Sequence, residues 1–254
     1  MKVLTFNIHH GADHQNRLNL DRIRQVIEQA DADVVTLQEV DKHWSDRSRF
    51  VDQAAWLGEQ LGMKVRFAPI YSLDPLHPGY PRREYGLAVL SRYPIIRFSN
   101  HELSRISSQE PEKGVQSLPG FPEAVIQAGG TKMHVFTTHL SWMDPELRLK
   151  EADEMMAFIR QARYPVILTG DMNAVPESPE IQRIRDHLTD AFEEKGEGNG
   201  MTYPVPQPVR RIDYIFASSQ VKVLQCYVLQ EEGSDHYGVQ AELWIPKEEG
   251  MGNP

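Results

Sequence analysis

The stretch that most constrains the fold is 165–176, where a short apolar run ends in a glycine and is followed at once by an acid and an amide. The run from Val166 to Leu168 is aliphatic and partly β-branched, which predicts a buried β-strand. Asp171 and Asn173 come just past its end, where layered α/β folds tend to place their sites. The same two residues are equally consistent with a turn that satisfies its own backbone. The residues at the other strand ends must therefore decide between a site and a turn.

The first sixty residues alternate between strand and helix patterns. Four elements are predicted there, strands at 2–8 and 33–38 and helices at 20–30 and 51–61. Asn19 is the expected N-cap of the first helix, and the second strand is expected to stop at Glu39. This order of elements indicates an α/β layered domain.

Beyond residue 63 the sequence favours short strands joined by polar loops. The strands predicted there lie at 64–68, 86–91, 95–98, 123–128, 132–138, 211–216, 222–228 and 237–245. Two glycines at 129–130 predict a hairpin, and a long helix is expected over about 145–161 with Asp144 as its cap. The segment 104–120 is polar and poor in aliphatic residues, so we expect it to be an exposed, mobile loop.

Composition and charge narrow the class of protein. The chain is 40% hydrophobic and 25% charged, which is typical of a globular protein with a full core. Since no linker, repeat or low-complexity tract interrupts it, we expect one domain over 1–246 and a flexible tail at 247–254. The net charge of -9 disfavours a dedicated DNA-binding protein, which usually carries a basic face.

The sequence also bears on compartment and partners. The single cysteine, Cys226, excludes an intrachain disulfide and a thiol-rich metal site. The N-terminus becomes polar at Asn7, too soon for the core of a signal peptide. No run approaches the ~20 apolar residues of a membrane span. We therefore expect a cytoplasmic protein with no transmembrane segment and no obligate protein partner.

Polar side chains of one chemical character end or interrupt the predicted strands. They are Asn7, Glu39, His139, Asp171 with Asn173, Asp213, and Asp235 with His236. Singly, Glu39 could be an exposed strand-end carboxylate and His139 a core histidine. Asp213 is harder to explain, because a charge inside an apolar strand is costly unless it is paired or ligated. Oxygen ligands with imidazoles and without thiols suit a hard divalent cation, Mg²⁺ or Mn²⁺.

The motifs that carry these residues resemble one known family. They are Thr5-Phe-Asn7, Leu37-Gln-Glu39, Glu84-Tyr-Gly86, Leu90-Ser-Arg-Tyr-Pro94, Thr138-His-Leu140, Gly170-Asp-Met-Asn173, Arg211-Ile-Asp213 and Ser234-Asp-His236. In this order they are similar to the endonuclease/exonuclease/phosphatase superfamily, which includes deoxyribonucleases, inositol-polyphosphate phosphatases and bacterial sphingomyelinases. The resemblance implies a deoxyribonuclease-I-like four-layer α/β sandwich, with two packed mixed β-sheets flanked by helices.

The resemblance also implies a metal ion, Mg²⁺ or Mn²⁺, and an activated water. Glu39 would be the main metal ligand, with Asn7 beside it and Asp235 nearby. Asp171 would orient or deprotonate the attacking water, and Asn173 would bind the phosphate or the nucleophile.

Two histidines complete the implied catalytic set. His236, held by Asp213, would stabilise charge on the phosphoryl group or act as a general acid or base. His139 would contact another phosphoryl oxygen and would be oriented by Glu84. A carboxylate beside an imidazole raises its pKa, which keeps it cationic when it faces a phosphate.

The substrate stays open at the level of sequence. Substrate-binding side chains are expected on the loops 72–84, 104–120 and 193–210 and near His139, and the candidates are Arg83, Tyr85, Trp142 and Arg210. A metal-dependent hydrolase of a small phosphorylated molecule or a lipid headgroup is the favoured interpretation, although no amphipathic anchor supports a lipid. The alternatives are a nuclease acting on DNA or RNA and a non-catalytic phosphate-binding module.

Overall fold

The computed structural model describes residues 1–247, whose twelve strands form two six-stranded sheets. The first sheet has, from edge to edge, β11 (Lys222–Val228), β12 (Val239–Trp244), β1 (Lys2–Asn7), β2 (Val34–Lys42), β4 (Arg83–Ser91) and β3 (Lys64–Leu73). Within it, β1 and β2 are parallel and the other neighbours are antiparallel. This sheet is therefore mixed, as predicted.

The second sheet is also mixed. Its order is β5 (Ile95–Ile106), β6 (Val115–Ala128), β7 (Thr131–His139), β8 (Val166–Asp171), β10 (Asp213–Ala217) and β9 (Thr189–Asp190). Among the described strands of this second sheet, only β7 and β8 run parallel. The predicted hairpin over residues 129–130 joins β6 to β7.

The two sheets pack face to face through the alternate side chains of their strands. Val34 and Val89 of the first sheet belong to the same buried cluster as Val135 and Ile167 of the second. The side chains that alternate with these point to the outer face of each sheet, and many of them are also apolar. Helices cover these outer faces and bury the apolar side chains. The result is the predicted four-layer α/β sandwich.

Five α-helices occur in residues 1–247, and four of them cover the outer faces of the sheets. They are α1 (Leu20–Ala30), α2 (Gln53–Leu61), α3 (Pro145–Ile159), α4 (Pro179–Arg185) and the short α5 (Ala191–Lys195). The first two pack on the first sheet, and α3 and α4 on the second. Asn19 and Asp144 cap α1 and α3 as predicted, each accepting hydrogen bonds from backbone N–H groups of the first turn.

Two predictions about strands and loops are wrong. Segment 104–120 is not loop throughout, since β5 and β6 pair along it up to Ile106 and Val115, and only residues 107–114, which are mostly exposed, join them. The mobility of this segment stays a prediction. Both strands are long, with 12 and 14 residues, and their polar side chains hid the alternation. In addition, β2 does not stop at Glu39 but continues to Lys42 through a bulge.

The parallel strand pairs place their C-terminal ends along one edge of the sandwich. In the first sheet, Asn7 at the end of β1 lies beside Gln38 of β2. In the second, His139 at the end of β7 is paired with Asp171 of β8, and Asp213 at the start of β10 is also paired with Asp171. We call this end of both sheets the polar edge. The predicted tail lies outside the described residues from 248 onward, and the limits of the domain stay a prediction.

Candidate active site

Asn7 joins the two sheets at the polar edge. Its Nδ2 donates to Glu39 Oε1 and to Asp171 Oδ2, both at 3.1 Å, and its Oδ1 accepts from the backbone N–H of His9. Asn7 is fully buried, so its amide has little freedom to turn. One side chain from the first sheet thereby fixes a carboxylate from each sheet.

Glu39 occupies the bulge of β2. The register shifts between Leu37 and Val40, and Glu39 has a φ of 57°, a backbone conformation that non-glycine residues seldom adopt. The bulge turns Glu39 toward the polar edge, where its side chain is half-buried. Strain of this kind is concentrated at functional sites because only a well-packed surrounding can hold it.

Asp171 lies at the centre of the site and is 1% exposed. The preceding Gly170 has a φ of 136°, and a Cβ there would lie 2.1 Å from the carbonyl oxygen of Thr138, so no side chain fits. Asp171 Oδ1 accepts from the backbone N–H of Asn173, and Asn173 Nδ2 donates to Leu140 O. The turn that the sequence suggested is therefore present. It fixes Asp171 through Oδ1 and leaves Oδ2 to contact Asn7 and to face the histidines.

Two imidazoles approach that second oxygen. His139 Nε2 lies 3.6 Å and His236 Nε2 lies 3.7 Å from Asp171 Oδ2. Both distances exceed an ordinary hydrogen bond, so the three groups face a common space without closing on one another.

Asp213 holds His236 from the other side. His236 Nδ1 lies 2.9 Å from Asp213 Oδ2, and both residues are buried. Burial alone lowers the pKa of His236, but the charge of Asp213, its hydrogen bond and the charge of Asp171 outweigh burial and raise the pKa to about 10. His236 is therefore an imidazolium at neutral pH. The ring of Tyr203 lies against it, with centroids 4.7 Å apart.

Carboxylates outnumber cations in this space, which suits a divalent metal. Glu39 and Asp235 are both half-buried, so each can offer oxygen to an ion while keeping contact with solvent. Asn7 Oδ1 has a second lone pair beside the one used by His9. Asp171, Asp213 and His236 also bring ligand atoms within 4.8 Å of one another. Asp213 and His236 already contact each other at 2.9 Å, so we favour Glu39 and Asp235 as the metal ligands.

The prediction that Glu84 orients His139 is wrong. The Glu84 carboxylate lies 2.9 Å from Lys42 Nζ and accepts from Ser72 Oγ, in the first sheet. The carboxylate near His139 is instead that of the buried Glu151. Burial raises the pKa of Glu151, and the opposing effects of Arg105, Ser141 and His139 offset this rise only in part. Sequence patterns place Glu84 near the site, but its partners are set by the neighbouring strands.

The four predicted substrate-binding residues differ in their freedom. Tyr85 is stacked on Tyr71 with centroids 6.0 Å apart, and burial followed by the charge of Glu39 raises its pKa. Arg83 Nε donates to the backbone oxygen of Asp74. Trp142 and Arg210 are exposed. None is excluded from substrate binding by position, and their roles stay predictions.

Three further residues close to the site, Arg47, His9 and His10, were not predicted. Arg47 makes two hydrogen bonds to the buried Asp41 and lies over the rings of Trp44 and Tyr85. His9 and His10 form a tight turn after β1, with φ of 44° and 46°. Burial, His9 and Arg47 lower the pKa of His10 to about 4, so it is neutral. For the two histidines, the only sequence signal was their position directly after β1, which ends at Asn7. No sequence signal indicated Arg47.

Comparison with known proteins identifies the family. A sequence model of the endonuclease/exonuclease/phosphatase family matches residues 4–236. The chain belongs to this family. It is 27% identical over 269 residues to the uncharacterized protein YbhP of Escherichia coli K12, with 96% of each chain covered.

Solved structures of the family share the fold. The endonuclease/exonuclease/phosphatase from Beutenbergia cavernae has 26% identity and a TM-score of 0.75, covering 96% of this chain and 71% of that one. A mannosyl-6-phosphatase of Bacteroides thetaiotaomicron has 20% identity and a TM-score of 0.74, covering 96% and 100%. The human nocturnin catalytic domain with bound sulfate has 18% identity and a TM-score of 0.70, covering 97% and 94%. Among residues 1–247, no helix is both long enough and apolar enough to span a membrane.

Proposed function

We propose that this protein is a divalent-metal-dependent hydrolase of phosphoester bonds that acts on a small phosphorylated molecule or a lipid headgroup. The observation that carries the proposal is the convergence of Asn7, Glu39, Asp171, His139 and His236 from both sheets on one space. Hydrolysis of a phosphoester requires an aligned water and neutralisation of charge on the phosphoryl oxygens. This arrangement supplies groups for both.

Asp171 would receive the proton of the attacking water. Asn7 and the backbone of Asn173 fix its carboxylate, which leaves a direction of approach toward the imidazoles. Because a carboxylate held in this way loses little freedom on reaction, its orientation contributes to the rate.

The two imidazoles would hold the phosphoryl oxygens. His236 is cationic and cannot move away from its partner Asp213, so it can stabilise negative charge without reorganisation. His139 lies at the same distance from Asp171 and is more exposed, which suits a group that contacts the substrate.

The metal would be held by Glu39 and Asp235, with Asn7 beside them. When bound, Mg²⁺ or Mn²⁺ supplies Lewis-acid stabilisation of the phosphoryl and leaving oxygens. The chain's own contribution is to fix Glu39 through the bulge and the hydrogen bond from Asn7.

The direct test is a hydrolysis screen with Mg²⁺ or Mn²⁺ against bis-p-nitrophenyl phosphate, p-nitrophenyl phosphate, sugar phosphates, sphingomyelin and plasmid DNA. We expect at least one small ester to be hydrolysed, and a chelator or Asp171→Ala to abolish the activity. Activity that survives both treatments would contradict the proposal. Rapid nicking of plasmid at physiological salt would favour the nuclease alternative.

A further inference from the structure

The four most exposed large hydrophobic side chains of residues 1–247, and Leu76 with them, lie on loops around the polar edge. Met143, Trp142, Val209 and Tyr80 have exposed fractions of 74%, 73%, 70% and 67%, and Leu76 has 55%. We call these five side chains the apolar rim. Exposed hydrophobic residues are ordinary when scattered, but their concentration around one site indicates a contact surface.

The second sheet provides three members of the apolar rim. Trp142 and Met143 lie on the short segment between β7, which ends at His139, and α3, which begins at Pro145. Val209 lies on a loop closed by its own N–H, which donates to Tyr203 O at 2.9 Å. Since the Tyr203 ring lies against His236, this loop stands at the mouth of the site.

The first sheet provides the other two. Leu76 and Tyr80 lie on the loop between β3 and β4. The start of β4 pairs with the end of β2, with Glu84 opposite Lys42, just beyond Glu39 in the chain. This loop therefore leaves the sandwich at the polar edge.

Cationic side chains accompany the apolar rim. Arg210 is exposed directly after Val209, and Arg82 follows Tyr80 with 53% of its side chain exposed while it pairs with Asp74. Tryptophan and tyrosine rings settle at the headgroup level of a bilayer, and arginine reaches lipid phosphates from the same depth. The combination of residues on these loops matches the chemistry of a lipid surface.

We propose that the apolar rim docks on the headgroup region of a zwitterionic lipid bilayer and presents a lipid phosphoester to the site. The nature of the bond that reacts rests on the proposed function, whereas the docking does not. A protein partner requires a continuous complementary surface of about 800 Å² on each side. The rim is instead five side chains divided among three separate loops, and a fluid bilayer can close around such side chains. The net charge of -9 opposes a strongly anionic membrane, which leaves the zwitterionic surface.

The test is flotation of the full chain with phosphatidylcholine vesicles. We compare the wild type with the double variant Met143→Ser and Val209→Ser, and with Trp244→Ala as a matched control. Trp244 is also 55% exposed, but it ends β12, which is antiparallel to β1, so it lies at the end of the sheet opposite Asn7. We expect the partition coefficient to fall at least about tenfold in the double variant, because two apolar side chains that the bilayer would bury are lost. The control should change it by no more than about twofold.

Two further measurements separate the possible failures. Without vesicles, both variants should hydrolyse bis-p-nitrophenyl phosphate within about twofold of the wild type, which shows that they are folded. In Trp244→Phe, Trp44, Trp56 and Trp142 remain, and Trp142 is the most exposed of the three. The emission of this variant should shift to shorter wavelength when vesicles are added, and the shift should be absent in a Trp142→Phe and Trp244→Phe double variant.

Three outcomes would overturn the docking proposal. The wild type could fail to float, the double variant could float as well as the wild type, or the wild type could form a dimer that the double variant lacks. Vesicle binding without hydrolysis of any ester would instead count against the proposed function alone.

Discussion

Two clusters of carboxylate and imidazole groups within residues 1–247 differ in how closely the imidazoles approach the carboxylate. In the Glu123 cluster, which comprises Glu123, His101, His134 and Arg97, Glu123 Oε1 contacts His134 Nδ1 at 2.6 Å and Oε2 contacts His101 Nε2 at 2.8 Å. Arg97 neutralises the charge, and His134 Nε2 accepts from the backbone N–H of Arg163. Both carboxylate oxygens of Glu123 are therefore within hydrogen-bond distance of an imidazole.

At the polar edge, the carboxylate of Asp171 is not within hydrogen-bond distance of its two neighbouring imidazoles. Asp171 Oδ2 stands 3.6 Å and 3.7 Å from two imidazoles, and the carboxylates exceed the cations. Residue types alone do not separate these clusters, because both join an acid to histidines. A carboxylate in contact with its imidazoles stabilises the fold, whereas one whose imidazoles stand apart leaves room between them for a substrate or an ion.

The largest expected difference between the two clusters is in catalysis. Asp171→Asn keeps the shape of the side chain but removes its charge, so we expect kcat to fall on the order of 10³–10⁴-fold. Glu123→Gln, the matched change in the Glu123 cluster, should leave kcat on bis-p-nitrophenyl phosphate close to the wild-type value. Comparable losses in both variants would show that the clusters are not functionally distinct.

A smaller loss is expected from Asp213→Asn, because Asp213 positions His236 rather than contacting the substrate. We expect kcat to fall on the order of 10²–10³-fold. The pH profile should also change, since the imidazolium is the form that stabilises phosphoryl charge. In the wild type that form is lost only as pH rises through the His236 pKa of about 10. Without the Asp213 charge the decline should move toward neutral pH, and an unchanged profile would indicate a purely structural role.

Metal binding is expected to depend on Glu39 and not on Glu123. Glu39→Gln should raise the Mg²⁺ concentration needed for half-maximal activity by about 10–100-fold. It should also reduce the rise in Tm that Mg²⁺ produces in the wild type, because an ion that binds the folded state stabilises it. Glu123→Gln is the control, and an equal rise in Tm in all three proteins would place the metal elsewhere.

The smallest expected effect concerns stability and pH. Burial raises the pKa of Glu123, but hydrogen bonds from His101, His134 and Arg97 outweigh burial and lower it. A carboxyl whose pKa is lowered by folding stabilises the protein above its unfolded pKa of about 4.3, and this contribution disappears as pH falls. Glu123→Gln should therefore reduce the free energy of unfolding by about 2 kcal/mol at pH 7. In urea denaturation at pH 3–4 the difference should shrink, and a difference independent of pH would contradict the charge argument.

The sequence predicted the elements whose patterns are local. The helices α1 and α3 have their caps at Asn19 and Asp144, because helix-capping chemistry involves only the adjacent turn. The hairpin arm of β5 and β6 was missed, because polar side chains such as Ser104 and Gln116 alternate with few aliphatic ones. The bulge at Glu39 also escaped prediction, since it is defined by the register against β4.

The sequence by itself determined the residue types of the site, the motif order and the strand ends that carry them. It could not decide how these side chains meet. Glu84 and Asp171 were both predicted to be catalytic, yet one pairs with Lys42 and the other with Asn7. That choice depends on which strands become neighbours and on the packing of one sheet against the other. Only the tertiary structure brings Asn7 to Asp171, 164 residues apart in the chain. It also leaves a gap between Asp171 and the two histidines.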